Sequence, residues 1–212
     1  MENTDVKQRG RPRDEHLPER RREEILEVAT RIFAERGYPG TDVQVVADAA
    51  GIGKGTVYRY FPTKQDLFFA AVDRGLNVLK ARIDEAQTAA GADVFGQMKA
   101  VVVAYLAFFE DNPAMVELLI QERAEFRDRA QPAYFVRREE DLGRWHETLR
   151  QLIAAGRMRD VAPEQITQVA GDLLYGTMFA NYVTGRHSDP QTQAATILDI
   201  ILHGLLTERG GA

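Results

Sequence analysis

The stretch AGIGKGTVYRYF, residues 50–61, decides the fold, because its glycines admit two opposite readings. A phosphate-binding loop of the Walker type needs G-x-x-x-x-G-K-[ST], so that backbone N–H groups wrap the phosphates and a hydroxyl after the lysine holds Mg²⁺. Here Gly55, not Ser or Thr, follows Lys54. A dinucleotide turn needs G-x-G-x-x-G after a buried strand, whereas Gly51, Gly53 and Gly55 read G-x-G-x-G. Both phosphate readings fail on spacing.

The run before the glycines is helical. Val43, Val46, Ala47 and Ala50 fall at i, i+3, i+4 and i+7, one apolar face of a helix. Thr41 and Gln44, three apart, match a capping box that starts this helix near Asp42, and Gly51 ends it as a C′ glycine. With Gly53 as N-cap, a third short helix then turns Val57, Tyr60 and Phe61 inward and leaves Lys54, Gly55, Thr56, Tyr58 and Arg59 on a polar outer face.

Upstream, PERRREEILEVATRIFAERG carries Ile25, Val28, Ala29, Ile32 and Phe33 at helical spacing and stops at Gly37. Downstream, Pro62 breaks the chain, and Thr63 with Asp66 caps a fourth helix that runs through Leu67, Phe68, Ala71, Val72, Leu76, Leu79 and Ile83. Further helices are expected over 93–110, from Asn112 and Pro113 to near Arg129, over 132–155 up to Gly156, from Pro163 to about Gly185, and from Pro190 through the stripe Ile197, Leu198, Ile201, Leu202, Leu205 and Leu206. No alternation of β-branched residues calls for a sheet. The expected fold is all-α with about nine helices.

Bulk properties narrow the chemistry. The 212 residues carry no cysteine, which excludes disulfides and thiolate metal sites. The four histidines, His16, His146, His187 and His203, lack metal-ligand spacing, so no metal and no cofactor is expected. No nucleophile, base and orienter group is recognisable, and no stretch approaches the ~18 apolar residues of a membrane span, so a cytoplasmic non-enzyme is expected. Net charge is −5, but Lys plus Arg balance Asp plus Glu at 12 each up to Asp66, so the acidic excess lies in the rest of the chain.

Two helices joined by a turn that begins at glycine have the helix-turn-helix layout, in which the second helix enters the DNA major groove. At this point the sequence resembles a family. TDVQVVADAAGIGKGTVYRYFPTKQDLF is similar to the DNA-binding segment of the TetR/AcrR-type transcriptional regulators, together with Phe33 and Gly37 of the first helix. The resemblance covers roughly residues 20–69 closely and the remainder in helix layout. One departure is Gly53, where the family often has a serine cap.

That resemblance implies a basic arm over 1–17, a three-helix reader over 18–66, and a larger helical ligand-binding and dimerisation domain over 67–212. For the reader, Gly55 permits close approach to the bases, Thr56 suits a thymine methyl or base edge, and Arg59 suits guanine O6 and N7. Tyr58 and Tyr60 look like phosphate and groove contacts by resemblance. Lys54 and Lys64 suit phosphates, and Thr41 and Gln44 suit backbone or a flanking base. Arg9, Gly10, Arg11 and Pro12 spell R-G-R-P, the core of an AT-hook. Minor-groove insertion by Arg9 and Arg11 stands there beside a tail that only raises local positive charge.

In the larger part, Tyr105, Phe108, Phe109, Met115, Leu119, Phe126, Trp145, His146, Tyr175, Met178 and Phe179 are the candidate walls of an apolar effector pocket, although such a stripe is more commonly core. Gln121, Asn181 and His146 are candidate polar contacts; Glu122, Arg123 and Glu125 are expected on a solvated face. Gly171, Gly176 and Ala180 permit close helix approach, so a homodimer through about 163–208 is expected, with double-stranded operator DNA and a small effector as partners. A nucleotide-binding enzyme is the rival reading of GIGKGT; a helical interaction protein that never touches DNA is a third.

Overall fold

The computed structural model describes residues 17–140 and 142–205. Ten helices follow one another without a strand among the described residues: α1 (Leu17–Gly40), α2 (Val43–Ala49), α3 (Lys54–Tyr60), α4 (Lys64–Ala89), α5 (Val94–Asp111), α6 (Pro113–Glu125), α7 (Ala133–Glu140), α8 (Leu142–Ala154), α9 (Pro163–Thr184) and α10 (Pro190–Leu205). Residues 133–140 and 142–154, where one helix over 132–155 is expected, are numbered as two because residue 141 lies outside the described residues. α6 stops at Glu125 rather than near Arg129, where Phe126 turns to pack against Tyr38 edge-on and Phe69 at a tilt, 4.8 and 4.7 Å away between ring centres. Among the described residues no helix is long and apolar enough to cross a membrane.

Helix starts follow local chemistry. α4 opens on a complete capping box: Asp66 N–H donates to the Thr63 hydroxyl oxygen, and Thr63 N–H donates back to Asp66 Oδ2. The start of α2 differs from expectation. Its cap is Asp42, whose Oδ1 accepts from Gln44 N–H at 2.7 Å, while the Thr41 hydroxyl donates back to the Gly37 carbonyl at 2.8 Å. A carboxylate one residue nearer the helix takes the donor that a threonine hydroxyl would have taken.

α1, α2 and α3 enclose Ile25, Leu26, Phe33, Val46 and Val57, all fully buried, and this core continues without a break into α4, α5 and α6 through Phe68, Phe108 and Leu118. An aromatic cluster of Phe33, Tyr38, Phe68, Phe69 and Phe126 ties α1, α4 and the corner after α6 together. Gln121 adds a polar tie, its amide donating to the Phe33 carbonyl at 2.9 Å. A second, smaller core of Leu149, Leu152, Met158 and Ile166 joins α8 to α9.

Candidate nucleic-acid interface and effector cavity

α3 is anchored by Val57, which is fully buried, and by Phe61 at its C-terminus. That anchoring turns the other face outward: Gly55, Tyr58 and Arg59 are exposed, while Thr56 and Tyr60 are half-buried. Gly53 caps the helix with no side-chain hydrogen bond. Arg59 has no carboxylate partner among the described residues, and its guanidinium lies 5.7 Å from the Tyr60 ring centre. It is therefore a cation ready to pair with an external anion or base edge.

Gly55 is informative for another reason. Its φ is not positive, and a Cβ built on it would meet nothing within 4 Å. Glycine inside a helix costs roughly 0.5–1 kcal/mol relative to alanine, and nothing among the described residues requires that cost. Gly51, in contrast, has φ 64° and is required by its own backbone, ending α2 in the left-handed region.

The remaining candidates around the reader divide. Gln44 is exposed, its amide donating to Asp48 at 2.7 Å. Lys54 bonds Asp42 at 2.8 Å, a pair that holds the Asp42 carboxyl below its usual range after the larger effect of the Gln44 N–H, and raises the lysine. Thr41 is corrected: it is 2% exposed with its hydroxyl bonded inside the chain, so its side chain presents nothing to a ligand. Lys64 is also less available than expected, since its ammonium donates to the Tyr38 and Thr41 carbonyls at 2.8 and 3.1 Å and lies 4.4 Å from the Tyr38 ring centre. Arg9 and Arg11 lie outside the described residues.

A cavity of about 280 Å³ opens between α4, α5, α7, α8, α9 and α10. α4 supplies Leu76, Leu79 and Ile83; α5 supplies Met98, Val101, Val102 and Tyr105; α9 supplies Ile166, Ala170 and Leu174. Of the expected pocket residues, Tyr105 and Trp145 line it. Phe108 and Phe109 do not: they continue the same face of α5 one turn on, edge to face with ring centres 5.0 Å apart and Phe109 5.0 Å from Tyr105, and form core instead of wall. Met115 and Met178 are likewise core, Phe126 belongs to the aromatic cluster, and Phe179 is 41% exposed.

Leu119 and Tyr175 line a separate crevice beside Arg123, Arg127 and Arg129. His146 is half-buried, bonded to the Thr167 hydroxyl at 2.9 Å, and outside the cavity wall. Asn181 pairs with Gln193 at 3.0 Å.

Tyr134 belongs to the aromatic group that the sequence offered as pocket wall; the cations of the wall and the burial of Glu122 escaped sequence reasoning. Tyr134 lines the cavity, with its hydroxyl 3.0 Å from that of Tyr105; burial pushes its pKa up to about 12 and that of Tyr105 well above the usual phenol value. Lys80, Arg137, Arg138 and Arg144 also belong to the wall. Glu122, expected on a solvated face, is 1% exposed: its Oε1 accepts from Arg129 at 2.7 Å and from Ala133 N–H at 2.9 Å. The α4 wall was legible in the Leu76, Leu79, Ile83 spacing; the cations and Glu122 carry no periodic signal, because their placement depends on the fold around them.

α9 carries a second surface. Val169, Leu173 and Val183 are exposed, at 60%, 41% and 61%, and with Gly176 and Ala180 they repeat at four and three residues along one side of the helix. Ile200 of α10 is 67% exposed. Gly171 does not belong to that seam: a Cβ there would sit 2.6 Å from Arg138 Cζ, so its close approach is internal.

Residues 25–71 match the family described as bacterial regulatory proteins, tetR family. The HTH-type transcriptional repressor Rv1474c of Mycobacterium tuberculosis strain H37Rv is 30% identical over 203 residues, covering 89% of this chain and 94% of the relative. KstR, an HTH-type transcriptional repressor of the same organism, is 32% identical over 99 residues, 47% of this chain. There the chain spans less than half of the relative's length, 44%. Among solved structures, the ketosteroid transcriptional regulator KstR2 of Mycobacterium tuberculosis superposes with a TM-score of 0.64 at 25% identity, over 89% of this chain and 96% of that one.

Proposed function

We propose, from the premise that this chain belongs to the tetR family of bacterial regulatory proteins, that it is a dimeric cytoplasmic repressor released from its operator by a small, largely apolar molecule. Residues 18–66 read the DNA, and 67–212 hold the effector and the second subunit. The observation that carries this reading is the outer face of α3, where, among the described residues, Gly55 meets no neighbour that would require glycine and Arg59 has no carboxylate partner. A major groove supplies both reasons, as a backbone that must come close and a guanine edge that takes two hydrogen bonds. Gln44 and Lys54 flank that face and suit phosphates, with Tyr58, Thr56 and Tyr60 on or beside α3. Rv1474c and KstR, both named as HTH-type transcriptional repressors, support the same reading.

Release follows from α4. One helix carries the cap beside the reader at Thr63 and the cavity wall at Leu76, Leu79 and Ile83. A ligand that fits one α4 posture better than the other shifts the spacing between two readers, and coupling of about 1–3 kcal/mol suffices. The deciding experiment is selection of bound duplexes from a random DNA pool. A palindrome with half-sites about 34–36 Å apart is expected. Arg59→Ala should weaken binding to the selected site by about 1–3 kcal/mol and relax preference at one base pair. Recovery of no enriched sequence would sink the DNA reading.

A further inference from the structure

The apolar cavity is interrupted by two polar features. One is the pair Tyr105 and Tyr134, 5% and 6% exposed, with hydroxyls 3.0 Å apart. Such a pair shares one proton: one hydroxyl donates, and the other accepts while keeping its own proton. No acceptor for that remaining O–H exists among the described residues. Burial keeps both groups as neutral phenols, so the pair offers a donor and not a phenolate.

The wall also carries cations. Lys80, Arg137, Arg138 and Arg144 line it together with a single carboxylate among the described lining residues, Asp84, in a chain whose net charge is −5. Lys80 bonds Asp84 at 2.9 Å and Arg138 bonds Asp172 at 2.9 Å; Arg137 reaches Glu140 at 3.3 Å. Arg144 is exposed and has no acidic partner among the described residues. A purely apolar ligand leaves that charge and the spare O–H unanswered.

Building on the effector reading, we propose that the cavity binds an amphipathic aliphatic carboxylate whose chain carries an oxygen acceptor, such as a keto group. The carboxylate meets Arg144 and the acceptor takes the spare proton of the Tyr105 and Tyr134 pair.

Titration calorimetry on the full chain with decanol, decanoate and 9-oxodecanoate tests this without DNA. Decanoate should bind about five- to tenfold more tightly than decanol, with the difference removed by Arg144→Ala. The keto acid should bind several-fold more tightly again, a gain lost in Tyr134→Phe and Tyr105→Phe, which keep both rings. Equal binding of decanol and decanoate overturns the anionic end; a keto preference that is absent, or that survives both phenylalanine variants, overturns the oxygen acceptor. Failure of all three probes, with operator binding intact, rejects this ligand class and leaves the regulator reading standing. Operator failure alone does the reverse.

Discussion

On the proposed reading of α3 as the groove-entering helix, fold and function make opposite demands on Gly55. Gly55→Ala should raise stability by about 0.5–1 kcal/mol, because a helix interior gains from alanine and the added methyl meets no neighbour. The same methyl should weaken operator binding, so urea unfolding and DNA titration of one variant are expected to move in opposite directions. If alanine leaves DNA affinity unchanged, α3 does not approach the bases at this point. Glu122 makes a pH prediction. Burial raises its carboxyl against the opposing pull of Ala133 N–H and Arg129, and its Oε2 has no hydrogen-bond partner. The native state then holds that proton to higher pH than the unfolded chain, so its contribution to stability falls as pH rises from the ordinary glutamate value through the raised native one. Glu122→Gln cannot titrate, and its stability relative to the parent should therefore rise with pH across that window, as urea midpoints from about pH 4 to pH 7 would record. A flat difference would mean that Glu122 titrates as an ordinary glutamate. Arg59 and Tyr58 were legible in the sequence because a short amphipathic helix fixes its own outer face. Thr41 and Glu122 were not: the first folds back on Gly37, and the second is held at the corner where Ala133 and Arg129 reach it.

Among the elements, α4 carries the mechanical argument, since it begins beside the reader and ends along the cavity. It crosses α6 closely: a Cβ at Gly75 would overlap Met115 Sδ. Gly75→Ala should then cost about 1–3 kcal/mol in overpacking, partly offset by up to about 1 kcal/mol of helix propensity. In a Met115→Ala background the overlap is gone and the same substitution should become neutral or stabilising, so the double-mutant cycle is expected to show coupling of at least about 1 kcal/mol by urea unfolding. Additive effects would show that the crossing is loose enough to absorb a methyl. Such sensitivity matters because α6 ties α4 to α1: Met115 packs against Gly75, and Gln121 holds the Phe33 carbonyl. Element starts with local signals were legible, as at Thr63 and Asp66 or at Pro113 and Pro163, where proline sits in the first turn. Asn112 shows the limit of such signals: it stands at the expected N-cap, yet its amide donates backward to the Phe108 carbonyl at 2.7 Å and serves the end of α5.

For the whole molecule, the exposed seam on α9 has to be explained together with the reader. Soluble chains seldom leave a continuous apolar strip in water, and Val169, Leu173 and Val183, with Gly176 open beside them, form one at the spacing of a helix–helix contact. Phe179 on the same helix widens it. The sequence pointed to this region through the broad stripe of α10, but that stripe is mostly internal: Ile197 is buried, and Leu198 and Ile201 are half-buried on the core and line the cavity. Periodicity cannot say which side of a helix faces its own core and which faces a second copy, since both sides are apolar for the same physical reason. If the seam joins two copies, charges placed there should separate them without disturbing the subunit. The pair Val169→Asp and Val183→Asp sits on residues 60% and 61% exposed, so each subunit should keep its fold while sedimentation shifts from dimer to monomer. Affinity for a palindromic operator should fall far more than affinity for an isolated half-site, because the second reader no longer binds at the high effective concentration set by its partner. A variant that stays dimeric would place the interface elsewhere; one that becomes monomeric yet binds the palindrome undiminished would mean that a single reader is the functional unit.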